Sequence, residues 1–428
     1  MRLNLSLTAA LAALCSTLPP VGAAGQAPAE KADLLGNIVV VAGAARALPR
    51  IGILPSLDAD IEDVTLHSVV RRDLDLSGEF ELLDDSAAPS GLYLADTPVD
   101  VAAWRGKGVE AVVKVVGKKR DAGHAELQAL VYLLNRGATP VFDKRWRVPL
   151  PKLREESHRV ADLVIGALTG QNGGFASHMT FATSVGGMRR VYTIDADGHD
   201  AASVSPADRT AIAPAFGKNG ELFYASAGPG EPFRIHGTKA GPVALAQRGS
   251  VYGLAFSRDH AKVAVSLGVG DTIKLFAGPD LEHLSPAAEV ATALHPAFTP
   301  DGKLMFAGEG KWGQRIYVDG KPITPDGLFA SAPVACNHPD GVRVVFAAGA
   351  GKDSDLVATG DRGGPLVRLT QNQGRNAYPA CSPDGRLVAF FSTRKSGEGP
   401  GLYIMRLDGT RPKRVSPLLG DSLRWNAL

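Results

Sequence analysis

Cysteine is scarce: three in 428 residues, one of them, Cys15, inside an apolar leader. The two that remain, Cys336 and Cys381, are too few for the disulfide framework that holds small secreted domains together. They occupy equivalent strands of adjacent repeats. Facing sheets pack about 10 Å apart, whereas a disulfide needs its Cα atoms within about 7 Å, so buried free thiols are expected. Surplus charge is also missing. Lysine and arginine number 46 against 44 acidic residues, which leaves nothing to neutralise a phosphate backbone or an anionic bilayer; nucleic acid is not an expected partner. Beyond the leader no stretch approaches the roughly 18 uninterrupted apolar residues of a membrane span, so the processed chain is not expected to be membrane-spanning.

Catalytic and ligand-binding motifs are missing as well. No G-x-S-x-G turn occurs, the ten histidines show neither H-E-x-x-H nor H-x-H spacing, and in GAGKD from Gly349 the residue after Lys352 is Asp353 where a phosphate loop needs serine or threonine. No catalytic residue, metal or cofactor is expected. Asp195 and Asp197 in IDADG read as turn formers of a hairpin, and the basic stretch Lys114–Arg120 reads as a solvated strand end.

What is present begins with a leader. Arg2 precedes an apolar stretch from Leu3 to Leu18, a Pro19-Pro20 break, and the small residues Gly22, Ala23 and Ala24. That order is the pattern of a secretory signal peptide. Leu14 is bulky where a lipid-attachment signal ahead of Cys15 takes a small residue. Residues 1–24 are therefore expected to be removed, leaving a flexible stretch over 25–35 and an exported protein.

The second half repeats itself. PAFGKNGELFYAS from Pro214, LAFSRDHAKVAVS from Leu254, PAFTPDGKLMFAG from Pro296, PVACNHPDGVRVVFA from Pro333 and PACSPDGRLVAFFS from Pro379 recur at intervals of 38 to 45 residues, and SLRWNAL ends the series. Each unit reads as strand, tight turn, strand. Asn219-Gly220, Asp301-Gly302, Asp340-Gly341 and Asp384-Gly385 supply residues that tolerate positive φ. Proline opens several of the first strands, which suits an edge position because proline donates no ladder hydrogen bond. A period of this length fits four antiparallel strands per unit, arranged as blades around a channel. The stretch after Ser177 looks like second and third strands lacking a first, and Arg424–Leu428 looks like a first strand lacking successors. Joined, they make a sixth blade and leave no open sheet edge.

Residues 36–170 read as a mixed α/β domain: strands NIVVV and RIGILP, a helix through DADIEDVTLHSVVRRDLDL stopped by Gly78, and a short helix announced by the capping-box spacing Thr97-Pro98-Val99-Asp100. Strands EAVVKVVG, AELQALVYLL and TPVFDKRWRV and a helix from Lys152 to Leu168 follow. QNGGF opens a linker over 171–177, and the propeller is expected over 178–428.

Taken together, the leader, the α/β domain and the P-x-x-x-P-D-G repeats resemble the TolB family of the Tol-Pal system over essentially the whole processed chain. IVVVAGAARALPRIGILP, AAWRGKGVEAVV and HRVADLVIGALTGQNGGF carry the likeness in the first domain. The chain departs at the family's usual turn-strand tryptophan, which here is Phe216, Phe256, Phe298, Cys336 or Cys381 and survives only as Trp425. The resemblance implies a periplasmic binding protein and not an enzyme. It implies docking of a Pal-like peptidoglycan-associated lipoprotein at one propeller mouth, contact of a TolA-like inner-membrane protein with the segment around Gly36–Pro49, and a role in envelope integrity and cell division. That segment lacks the acidic residues common there in the family. The family's Pal-contact positions fall on Ser250, Gly253 and Leu294, and equivalent repeat loops add Thr210, His295, Ser331, Asn376, Tyr378 and Asp421. Two alternatives stand beside this reading: an exported propeller for another ligand, and a peptidase-like hydrolase. The second lacks a nucleophile motif and, with the ring closing at Leu428, room for a catalytic domain.

Overall fold

The computed structural model describes residues 47–55, 60–90, 97–349 and 353–427. The leader, the NIVVV strand and all but the end of the Gly36–Pro49 segment lie outside the described residues. The first domain is built on β1 (Arg50–Ile53), β2 (Glu81–Leu82), β3 (Ala111–Lys119), β4 (His124–Leu133) and β5 (Phe142–Pro149), in the sheet order β2-β1-β3-β4-β5. β1 runs parallel to β2 and β3; β4 is antiparallel to β3 and β5. Helices α1 (Ile61–Leu76) and α3 (Leu153–Thr169) cover one face, and α2 (Val101–Gly106) the other.

Alternation along β3 decides the two faces: Val113 and Val115 meet Leu66, Val70, Val160 and Val164, while Val112 meets Trp104 of α2. Gly52 is required on β1 because a Cβ there would lie 2.3 Å from the Trp104 ring. α3 ends at Gly170, left-handed at φ 87°.

Two details differ from expectation. α2 starts three residues later than the capping-box reading: Asp100, not Thr97, is the cap, its carboxylate accepting from the Ala103 N–H at 3.0 Å. A short carboxylate directly ahead of Val101 reaches the first-turn donors that Thr97, separated by Pro98, does not. Lys114 is not solvated either; it is 1% exposed, with Nζ donating to the Thr97 carbonyl at 2.9 Å.

The rest of the chain forms six four-stranded antiparallel sheets. Their innermost strands are Thr210–Phe216, Ser250–Phe256, Ala293–Phe298, Ala330–His338 and Asn376–Cys381 in blades 1 to 5, and Asp421–Ala427 in blade 6. The last joins Ser177–Val185, Met188–Asp195 and Ala202–Ser203, so the ring closes with the end of the chain as its clasp. Trp425 Nε1 donates to Ser177 Oγ at 2.7 Å across the joint. Outermost strands such as Gly241–Pro242, Ser285–Pro286 and Lys321–Pro322 are two residues long and carry proline, which blunts the exposed edges.

Every innermost strand slips register at the same height. In five of them a non-glycine residue sits at φ near +50°: Ala213, His295, Ala332, Tyr378 and Ser422. Such bulges bend a strand and free a carbonyl from the ladder.

The free-thiol expectation is overturned. Cys336 and Cys381 form a disulfide, with Cα atoms 5.3 Å apart. The 10 Å spacing holds between sheet faces, but innermost strands converge on the channel axis, and both cysteines lie there. A single apolar cluster runs through both parts of the chain, joining Leu66, Val70 and Val164 to Phe181, Ala389, Phe391 and Leu423.

Candidate functional site

The innermost strands all run in one direction along the channel, so their first residues surround one mouth and their last residues the other. The turns at Asp195–Asp200, Ser382–Arg386 and Arg406–Thr410, which touch the α/β domain, lie at the far end. The nine residues expected to dock a partner gather at the mouth away from that domain. Thr210, Ser250, Asn376 and Asp421 open their strands, Leu294, His295, Ser331 and Tyr378 lie within the first half of theirs, and Gly253 is at the middle of its own.

They do not form a uniform surface. Asn376 is fully buried, its amide donating to the Ser354 carbonyl at 3.2 Å and its Oδ1 accepting from Ser392 at 2.8 Å. Gly253 is buried where a Cβ would meet the Pro296 ring at 2.6 Å. Ser250 Oγ accepts from the Phe233 N–H, and Asp421 pairs with Arg189. Leu294, Ser331, Thr210, His295 and Tyr378 stay partly exposed.

His295 packs edge-on to Tyr378, 5.9 Å between ring centres, and Arg375 stacks over that tyrosine. Burial, aided by Arg424 and Arg375, pushes His295 down to about 4, so it is neutral at pH 7. With a folded value below the unfolded 6.5, its contribution to stability is complete above pH 6.5 and lost as pH falls toward 4. A His295→Gln variant escapes that loss. Between pH 7.5 and 4.5 the stability difference between wild type and variant should shift toward the variant by about 2 kcal/mol, measured by urea melts; a pH-independent difference refutes the assignment.

Sequence reasoning missed the apolar decoration of this face. Trp312 is 67% exposed at a second-to-third-strand turn, with Lys311 over its ring, and Val185, Val269 and Leu419 are exposed at the same end of their blades. Exposed large apolar side chains collected on one face mark an interaction surface more than the same residues scattered singly.

It also missed a second role of the acid pair in the IDADG hairpin. Asp195 and Asp197 form the joint with the α/β domain. Arg154 Nε donates to Asp195 at 3.1 Å and its other arm reaches Asp197; Arg72 donates to the Asp197 carbonyl at 2.9 and 2.6 Å; His178 and His199 each sit 3.0 Å from one of the two carboxylates. Behind them His158 Nδ1 is 2.6 Å from Asp73. Burial pushes Asp73 up to about 7 against the pull of His158. Burial would lower His158, but the Asp73 carboxylate holds it above its usual value. His158, Asp195 and Asp197 lie within metal-ligand reach of one another, but both carboxylates already carry arginines that a cation would have to displace. The cluster is an ion-pair joint. The turn reading of the hairpin itself holds, with Gly198 at φ 88°; what sequence could not supply was the arginines, contributed from helices well upstream.

Fold and site together define the class: an α/β domain fused to a six-bladed β-propeller, with an exposed apolar rim on the mouth away from that domain. Residues 36–135 match the model of the TolB amino-terminal domain. Over that stretch the chain carries a TolB amino-terminal domain. Among curated relatives it is 30% identical over 212 residues to the Tol-Pal system protein TolB of Methylococcus capsulatus, covering 48% of this chain and 47% of that one. It is 29% identical over 162 residues to the protein of the same name from Albidiferax ferrireducens, covering 38% and 37%. The aligned stretches thus span less than half of those relatives. The crystal structure of TolB from Acinetobacter baumannii superposes with a TM-score of 0.73 at 19% identity, covering 89% of this chain and 96% of that one, and shares the fold.

Proposed function

We propose that the chain is a periplasmic, non-enzymatic scaffold of the Tol-Pal system, which holds a Pal-like peptidoglycan-associated lipoprotein at its propeller mouth and a TolA-like inner-membrane protein through the segment around Gly36–Pro49. Linking the two envelope membranes in this way supports envelope integrity and division. The observation that carries the reading is the TolB amino-terminal domain joined to a ring whose far mouth bears exposed Trp312, Val185, Val269 and Leu419. Among described residues no helix is long and apolar enough to cross a membrane, which suits a protein that meets membrane-anchored partners from between them.

Leu294, Ser331, Thr210, His295 and Tyr378 supply the rim contacts in this proposal, while Ser250 and Asp421 shape it and Gly253 and Asn376 hold adjacent blades in register. Aromatic anchors dominate most interfaces, truncation costing about 2 kcal/mol or more. A tagged chain should recover a lipidated peptidoglycan-binding protein from envelope extract, and Trp312→Ala combined with Leu294→Ala should weaken that capture at least about thirtyfold. Undiminished capture by the double variant refutes the assigned face. Recovery of unrelated proteins alone favours a propeller for another ligand.

A further inference from the structure

Counting back one position from the repeat anchors gives Ala215, Ala255, Ala297, Ala335 and Ala380 in blades 1 to 5, and Arg424 in blade 6. All six line one cavity of about 220 Å³ at the channel mouth where the innermost strands end, on the side of the α/β domain. Five methyl groups leave the room that one guanidinium crosses. Arg424 Nη2 reaches the diametrically opposite blade and donates to the Pro296 carbonyl at 3.2 Å, an oxygen that the bulge between Leu294 and Ala297 has released from its ladder. Nη1 donates to the Leu423 carbonyl at 3.2 Å. A guanidinium carries five N–H donors, so three remain without a protein acceptor among the described residues. Burial pushes Arg424 down to about 10; it stays cationic at neutral pH with no carboxylate to compensate it.

The cavity wall continues the pattern. Its ionisable members are Arg424, Arg258 and His260, all basic, and His260 Nδ1 is buried without a hydrogen-bond partner. Of the hairpin acids in the neighbouring turns, Asp259, Asp301 and Asp384 are turned into their own hairpins, where each accepts from Ser257, Thr299 or Ser382, and Asp340 is exposed beside His338. A half-buried cation with spare donors, inside a small cavity whose lining has no acid, favours an anion. The planar fork of arginine matches a carboxylate, and Arg258, the other guanidinium of the wall, is exposed to solvent.

We propose that this mouth of the channel is a carboxylate-binding site with Arg424 as its anchor, occupied by a small free carboxylate or by the terminal carboxylate of a peptide chain. The site opens at the mouth opposite the docking rim, although Arg424 lies close enough to His295 to act on it.

Thermal melts of the full chain in sodium acetate, against sodium chloride of equal ionic strength and against neutral acetamide, give the affinity by linkage. Acetate should raise the melting temperature along a saturating curve, acetamide should not, and Arg424→Gln should weaken the response at least about tenfold. An equal response to acetamide, or an undiminished response in Arg424→Gln, overturns the site. Should that variant fail to fold, Asn337→Asp keeps Arg424 and adds a carboxylate at an exposed position on the same wall. Acetate binding should again fall about tenfold, and an unchanged affinity there overturns the proposal as well. Triglycine binding at least about tenfold tighter than acetate, with triglycinamide silent, assigns the carboxylate to a chain end; equal affinities assign it to a small free acid.

Discussion

Removing residues 422–428 is expected to abolish cooperative folding of the propeller and not merely to lower its melting temperature. The closing strand contributes buried Leu423 and half-buried Trp425, worth about 2 kcal/mol each. It also contributes ladder hydrogen bonds to Ser177–Thr180 and the Trp425–Ser177 bond at about 1 kcal/mol apiece. The loss, on the order of 5 kcal/mol or more, is comparable with the whole stability of many domains, about 5–15 kcal/mol. It also bares the inner edge of blade 6 and removes the Arg424 bridge across the channel. Circular dichroism melts and amide exchange should find blade 6 unprotected. A truncated chain melting like the full one means the clasp is ornamental.

Asp197→Ala should cost about 3–5 kcal/mol, the range found when one partner of a buried charge network is deleted and the rest left uncompensated. Asp197 is fully buried, and Arg72, Arg154 and His199 all converge on it. Its removal takes from Arg154 its one fully buried carboxylate partner and leaves it Asp195 and the exposed Asp200. Urea denaturation should show the deficit, and a double-mutant cycle with Arg154→Ala should return a coupling well above the 0.5 kcal/mol of independent sites. A loss below 1 kcal/mol, with no coupling, would make the joint a surface ion pair in effect.

The repeat was legible because each blade repeats the same local physics: an apolar strand, a residue that tolerates positive φ, and a second alternating strand. Five such units and two orphan halves leave closure as the solution that hides every inner edge. The bulge ring was not legible, because Ala213 and Ala332 do not favour the left-handed region; tertiary closure imposes it on them. The disulfide was missed for a geometric reason, since spacing between sheet faces does not describe strands meeting at an axis. Arg424 was visible in principle as the one departure from five alanines in the aligned repeats. The ion-pair joint was not, since Arg72, Asp73, Arg154 and His158 have no pattern in sequence that ties them to Asp195 and Asp197. Of the nine rim positions, the repeat register gave the mouth, while side-chain burial separates Asn376 and Gly253 from those open to a partner.

The geometry of the clasp also determines how the ring answers to pulling. Ala427 pairs with Ser177, so the strand entering blade 6 from the linker and the strand ending the chain leave the same end of one antiparallel ladder. Tension between them loads the rungs singly, from Ala427–Ser177 inward, as a zipper and not as a lap joint in shear. The covalent staple at Cys336–Cys381 lies between blades 4 and 5 and shields none of those rungs. Under load the toroid therefore has one designated seam.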